Sequence, residues 1–207
     1  MNILASYNWL KEYVNTDLSS EEFAKEFSLR SMSVETITNL REQFAGMVLG
    51  VVTKIEKHPG ADRLSVVTVD LGSRSSVIVC GGTNVVVGMK VLVAPTGTKV
   101  RWHGAPEWTT LEKATIRGVE SDGMICAPSE VGLDAVKIGD REIWDLTHLT
   151  DARAGTSIAE ALGLDDAIFD IEVTTNRPDA MGMIGLAREA ACAVSERFEA
   201  VGSRQSV

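Results

Sequence analysis

The side chains able to do chemistry in this chain are few and, for catalysis, badly spaced. His58, His103 and His148 stand 45 positions apart, and Cys80, Cys126 and Cys192 stand 46 and 66 apart, so none falls at metal-ligand or Cys-x-x-Cys spacing. The phosphate-binding Gly-rich loop, the Gly-x-Ser-x-Gly elbow and the His-Glu-x-x-His helix are all missing. Gly182-Met183-Ile184-Gly185 at a helix start fits either a phosphate contact or close packing of that helix on a strand, with packing favoured. Asp165-Asp166, and Asp170 with Glu172, read as a helix approach and a solvated strand face rather than as acid–base couples. What remains is positive charge. Lys54, Lys57, His58 and Arg63 crowd a single loop, and Arg74, Lys99, Arg101, His103, Lys113 and Arg117 follow on later strands or turns. Gathered on one face they would neutralise phosphates and release counterions; scattered, they are ordinary surface charge, and the sequence leaves both open.

The elements that must carry these residues follow from composition and periodicity. With 44% apolar residues, 24% charged and mean hydropathy of +0.06, the 207-residue chain can bury one or two ordinary cores. No apolar run reaches the roughly 18 residues of a spanning helix, and no basic-then-apolar leader opens the chain. A cytosolic location is expected, consistent with an odd number of unpaired cysteines. Net charge is 20 − 29 = −9, which argues against a polyanion partner until its distribution is read. Residues 1–38 carry three Lys/Arg against six Asp/Glu, residues 152–207 five against nine, and residues 39–151 twelve against fourteen. The middle is close to balanced, so it can present a basic face.

Trp9, Leu10, Tyr13 and Val14 repeat at helical spacing, and Ser19-Ser20-Glu21-Glu22 resembles a capping box before Phe23, Ala24 and Phe27. Val34 to Thr38 is a short β-branched strand. From Met47 the chain becomes Val/Ile runs cut by Gly, Pro and Asp: Val48 to Ile55, Leu64 to Leu71, Val77 to Val79, Lys90 to Ala94 and Thr115 to Val119. Short strands without intervening helices predict a small antiparallel barrel of the OB type. Beyond Asp151 helical signals return, with a Thr156 or Ser157 cap and a Gly163 stop. Ala167, Phe169, Ile171 and Val173 then alternate with polar or half-wet positions as a strand, and Ile184, Ala187, Ala190, Ala191 and Val194 mark one face of a last helix. Neither flank is long enough for a sizeable core of its own. The expected fold class is therefore α+β: a five-stranded OB-type β-barrel, 39–151, inserted into a split α+β domain, 1–38 and 152–200.

Between Phe44 and residue 151 the only aromatics are Trp102, Trp108 and Trp144. Single-strand binders stack successive bases on many rings, so structured RNA, read by backbone shape and a few polar contacts, suits this segment better. Three ordered motifs carry a resemblance: Gly50 through Gly72 (GVVTKIEKHPGADRLSVVTVDLG), Cys80-Gly81-Gly82-Thr83-Asn84-Val85 with Val87-Gly88-Met89, and Ala114 through Cys126. Together they resemble the tRNA-binding OB domain. That resemblance implies tRNA contact near the rim carrying Ser121 and Met124, helped by Asn84 and nearby basic residues. Lys54, His58, Arg63, Lys99 and Arg117 complete the expected tRNA-binding set. For Met124 a place in the barrel core fits equally well.

The flanks narrow the resemblance. Ser6 through Val14, Asp170 through Gly182, and Gly185-Leu186-Ala187-Arg188-Glu189 look like the N-terminal part of the bacterial phenylalanyl-tRNA synthetase β-subunit family, which also inserts this barrel into a split domain. Stand-alone tRNA-binding proteins place the barrel at a chain end, so the flanks argue against them. The family's β subunit is several times longer, so this chain looks like a fragment. The resemblance implies that it binds and positions tRNA for aminoacylation carried out by an α subunit within an (αβ)2 ligase. No catalytic residue, metal ligand or cofactor is expected in the fragment, and ATP and Mg2+ belong to the whole synthetase. The alternatives are a structural interaction module, or another tRNA-binding OB protein with no direct role in catalysis. A membrane partner is not expected.

Overall fold

A computed structural model describes residues 1–199; residue 200, the expected end of the second flank, lies outside the described residues. Along the chain run β1 (Asn2–Ser6), α1 (Tyr7–Lys11), α2 (Ser20–Arg30), β2 (Val34–Asn39), α3 (Leu40–Gln43), β3 (Val48–Lys57), β4 (Ser65–Asp70), β5 (Ser75–Cys80) and β6 (Lys90–Ala94). Then come β7 (Lys99–Arg101), β8 (Trp108–Thr110), β9 (Ala114–Ile116), β10 (Val119–Ser121), β11 (Met124–Ile125), α4 (Ile158–Ala161), β12 (Ala167–Glu172) and α5 (Met183–Ala193). Two compact units result: Met1–Arg41 together with the chain from Asp165 onward, and Glu42–Leu164.

In the first unit, β1, β12 and β2 form an antiparallel sheet with β12 in the centre. The alternation along β12 does what its period requires: Ala167, Phe169 and Ile171 point inward and are buried. Phe169 stacks on Phe23 at 5.8 Å and packs against Tyr7 at 5.3 Å. Phe23 and Phe27 reach this core because Ser19 starts α2 with a true capping box, Glu22 N donating to Ser19 Oγ at 3.2 Å and Ser19 N to Glu22 Oε2 at 3.0 Å. The acidic pair at 165–166 is structural. Asp166 accepts from the Ser6 hydroxyl at 2.5 Å and from the backbone N–H groups of Asn8 (2.9 Å) and Ala167 (2.8 Å), while Asp165 pairs with Arg41 at 3.5 Å. On α5 the buried face is Leu186, Ala187, Ala190, Ala191 and Ala193, whereas Ile184, expected on that face, is 50% exposed.

The second unit is built on a curled antiparallel half-barrel of five strands in the order β11-β6-β3-β4-β5, consistent with an OB-like fold. Val67, Val69, Ile78, Val91 and Val93 fill its concave side. Four of its strands coincide with the expected Val/Ile runs. The fifth does not: Thr115 to Val119 is no single strand but a hairpin, β9 to β10, turning at Arg117-Gly118. Ile116 and Val119 pair directly across a two-residue loop whose φ angles are +45° and +89°, a type I′ geometry that matches the twist of the strands. The fifth place in the sheet belongs to β11, paired with β6.

Hydrogen bonds tie β5 to the 121–122 segment. Asp122 N donates to Val77 O (3.0 Å), Ser76 Oγ to Asp122 O (2.8 Å) and Val79 N to Ser121 Oγ (3.1 Å), with an Arg74–Asp122 ion pair at 2.6 Å beside them. The Arg74 hydrogen bond, then that from Thr96, holds the Asp122 carboxyl below its ordinary value. Its contribution is therefore complete at neutral pH and fades only as pH falls through that lowered value. Asp122→Asn is expected to cost under about 1 kcal/mol, because the pair is partly exposed. It should also flatten the loss of stability between pH 7 and pH 3; urea unfolding at both values, giving equal pH dependence with and without Asp122, would contradict this.

Candidate nucleic-acid interface

The loop 58–64 between β3 and β4 is held by one imidazole. Gly60 N donates to His58 Nδ1 at 3.0 Å, and His58 Nε2 lies 2.9 Å from Ile116 O. Since Nδ1 receives an N–H, the proton must sit on Nε2 and be donated to the carbonyl, so this partner set assigns the tautomer. His58 is 5% exposed. It ties the loop to β9 and offers no free atom to a ligand.

Around that loop, which itself carries Arg63, two guanidinium groups converge. Arg117, on the turn of the β9–β10 hairpin, donates through Nη1 to Gly60 O at 3.0 Å. Arg141 donates through Nη2 to Gly81 O at 3.1 Å and toward Arg63 O at 3.4 Å. Arg63 itself is exposed, and its side chain has no hydrogen-bond or ion-pair partner among the described residues. Arg117 and Arg141 both have positive φ, +45° and +58°, a conformation of local strain that aims their side chains back over the loop. Lys57 is exposed at the adjoining end of β3. Asp62 and Asp140 are the exposed acids adjoining this group in sequence.

The other expected residues divide clearly. Lys54 is exposed but pairs with Glu56 at 2.9 Å, and Lys99 stands exposed on β7. Asn84 uses both ends of its amide on Ile143, donating to the carbonyl at 3.0 Å and accepting from the N–H at 2.9 Å. Ser121 is 4% exposed, accepting from Val79 N and donating to Gly123 O at 3.1 Å. Met124 is half-buried on β11, where it lines a cleft beside the half-barrel. Sequence reasoning missed Arg141, since within Asp140-Arg141-Glu142 it reads as a solvated charge run. Cys80 and Cys126 are both buried, and burial pushes both thiols up, away from nucleophilic use. Among the described residues no cluster of His, Cys, Asp and Glu is disposed to hold a metal ion, and no helix is long and apolar enough to cross a membrane.

Residues 47–154, the span containing the half-barrel and the arginine cluster, match the family described as "Putative tRNA binding domain". The chain belongs to this tRNA-binding family. Its relatives extend the likeness through both flanks. It is 42% identical over 190 residues to the phenylalanine–tRNA ligase beta subunit of Synechococcus sp. (strain CC9902), covering 91% of this chain and 23% of that protein. Against the phenylalanine–tRNA ligase beta subunit of Oceanobacillus iheyensis the identity is 38% over 201 residues, 95% of this chain and 24% of that one. This tRNA-binding chain thus spans about a quarter of the length of the curated relatives it matches. Among solved structures, the C-terminal domain of Plasmodium vivax p43 is 25% identical over 38% of this chain and 43% of that chain, with a TM-score of 0.29, too low to inform the fold.

Proposed function

We propose that the chain is the tRNA-binding portion of a phenylalanine–tRNA ligase beta subunit, an OB barrel (39–151) set within a split α+β domain (1–38 and 152–200). It carries the backbone of a structured tRNA on Arg63, Arg117 and Arg141, with Lys57, Lys54 and Lys99 extending the positive surface. His58, Asn84 and Ser121 act by positioning: each holds a loop or strand edge in place, so that the cations around them share one face. The observation that carries this reading is the convergence of the Arg117 and Arg141 guanidinium groups on the 58–64 loop, which bears the exposed Arg63, inside the segment matching the tRNA-binding family.

Aminoacylation itself is assigned to an alpha subunit, which would bring the ATP and Mg2+ chemistry, within an (αβ)2 assembly in the cytoplasm. This chain contributes affinity and orientation. Phosphate contacts of this kind fix register while carrying little sequence information, so the arginine cluster by itself does not discriminate among tRNAs.

Neutralising about four phosphates should lower affinity roughly a hundredfold between 50 and 200 mM salt. A filter-binding titration of the chain with tRNA and with a length-matched RNA duplex checks this. Equal, feeble and salt-insensitive binding to both would instead favour a structural interaction module.

A further inference from the structure

Beside the arginine cluster lies a cleft of about 840 Å³, and Arg141 lines its edge. Its apolar lining includes Val79, Met124 and Ile143. Its charged lining holds four carboxylates, Glu130, Asp134, Asp140 and Glu142, against two permanent cations, Lys137 and Arg141. A phosphate would meet repulsion and a desolvating apolar surface here, whereas a flat uncharged group bearing N–H donors would be penalised by neither.

One wall offers a platform for such a group. Trp102 lines the cleft and is 54% exposed, with the His103 ring edge-on to it at 5.1 Å. The turn that carries it is braced: Arg101 donates to Gly104 O at 3.0 Å and to Ala105 O at 2.5 Å, and pairs with Asp134 at 2.5 Å. His103 within that turn has φ of +52°, so the indole is presented by a strained, fixed backbone rather than a loose loop. Close by, Glu130 is 8% exposed; Oε2 accepts from Ala127 N at 2.7 Å, and Oε1 lies 3.9 Å from His103 Nδ1. A buried carboxylate lining an apolar cleft beside an open aromatic face is an acceptor that still has lone pairs to offer.

We propose that the cleft receives one unpaired nucleobase of the bound RNA, stacked on Trp102 and donating its N–H edge to the Glu130 carboxylate, while its backbone crosses the arginines outside. This rests on the tRNA-binding reading and says which part of the RNA enters the protein. Guanine suits the site better than adenine, because its N1–H and N2–H2 donors face a carboxylate side by side, whereas adenine presents a ring acceptor next to its one amino group.

The test uses fluorescence anisotropy of the full chain with a labelled RNA stem–loop at 50 mM salt. One loop contains a single guanine among uridines, a second has adenine in its place, and a third keeps the phosphates but has abasic riboses throughout. Stacking of one base predicts about tenfold weaker binding of the abasic loop. Trp102→Ala should weaken the guanine loop by a similar factor and leave the abasic loop unchanged. Trp102→Leu, which keeps apolar bulk, should behave likewise, and Glu130→Gln should remove the guanine-over-adenine preference. Equal affinity of the unaltered chain for guanine and abasic loops, with strong salt dependence in both, would overturn the cleft assignment and leave the arginine cluster standing. Failure of all three RNAs to bind would overturn both readings together.

Discussion

Joint replacement of Arg63 by Glu and Arg117 by Asn is expected to weaken tRNA binding by about a hundredfold or more without lowering Tm. The binding loss follows from two charge-assisted phosphate contacts at about 1.5 kcal/mol or more each. The folding side of the expectation comes from the turn. Arg117 occupies the first central position of a type I′ turn at φ +45°, followed by Gly118 at +89°, and Asn-Gly is the pair that this turn prefers. Arg117→Asn therefore relieves backbone strain and offsets the exposed hydrogen bond lost to Gly60 O. Arg63 has no partner among the described side chains, so its reversal disturbs no internal bond. The salt slope should fall along with the affinity, by roughly one unit for each contact removed. Anisotropy titrations at several salt concentrations, beside a thermal melt, check both halves. Unchanged affinity with an intact melt would remove the cluster from the interface.

The turn also marks where the sequence stops being legible. Its strands were obscured because Arg-Gly lacks the Asn or Asp that signals a type I′ hairpin, so Thr115 to Val119 reads as one β-branched run. The three-residue strands β7 and β8 were missed for a related reason: too few residues lie on each side of the Trp102–Gly104 turn for alternation to register. β1 contains a single β-branched residue, Ile3, and runs directly into α1, so it gives no strand signal of its own; it lies against β12, whose alternation is plain. What local chemistry dictates was readable: the Ser19 capping box, the Ser157 cap of α4 and the inward face of β12 all stand as their patterns require. Ile184 reads as part of the buried face because a helix of alanines has a weakly marked face; Leu186 and Ala193 complete it instead.

The candidate interface divides along the same line. The wealth of cations in the middle segment is a property of the sequence, but which are neutralised within the protein depends on neighbours. Lys54 with Glu56 could have been paired in advance, since alternate residues of a strand share a face. Arg74 with Asp122 and Arg101 with Asp134 could not, because folding alone joins positions 48 and 33 apart. Arg141 reaches the cluster through a positive φ at a non-glycine residue, a conformation for which sequence gives no signal. His58, Asn84 and Ser121 are short polar side chains in loop-rich motifs, and such groups meet backbone donors and acceptors that would otherwise be buried without partners.

Gly185→Ala is expected to destabilise the first unit strongly, costing about 3 kcal/mol or more and lowering Tm by roughly 10 °C. A Cβ placed there would lie 1.7 Å from Asp179 O and 2.7 Å from its carbon, which no side-chain adjustment relieves because both atoms are backbone. Nor is the turn Pro178–Ala180 free to retreat. The Arg177 guanidinium grips Asp179 at 2.8 Å and Glu189 on α5 at 2.7 Å, drawing the turn onto the helix and holding both carboxyls below their ordinary range. Any shift of α5 away from the turn would lift Leu186, Ala187 and Ala190 from the core around Phe169. Gly185 thus serves close packing of a helix on a turn rather than on a strand, whereas a Cβ at Gly182 would meet nothing within 4 Å. Binding of tRNA at low temperature should survive the substitution, because every residue of the arginine cluster belongs to the other unit. A Tm within about 2 °C of the unaltered chain would show that the turn and helix are less tightly joined than their backbone separation demands.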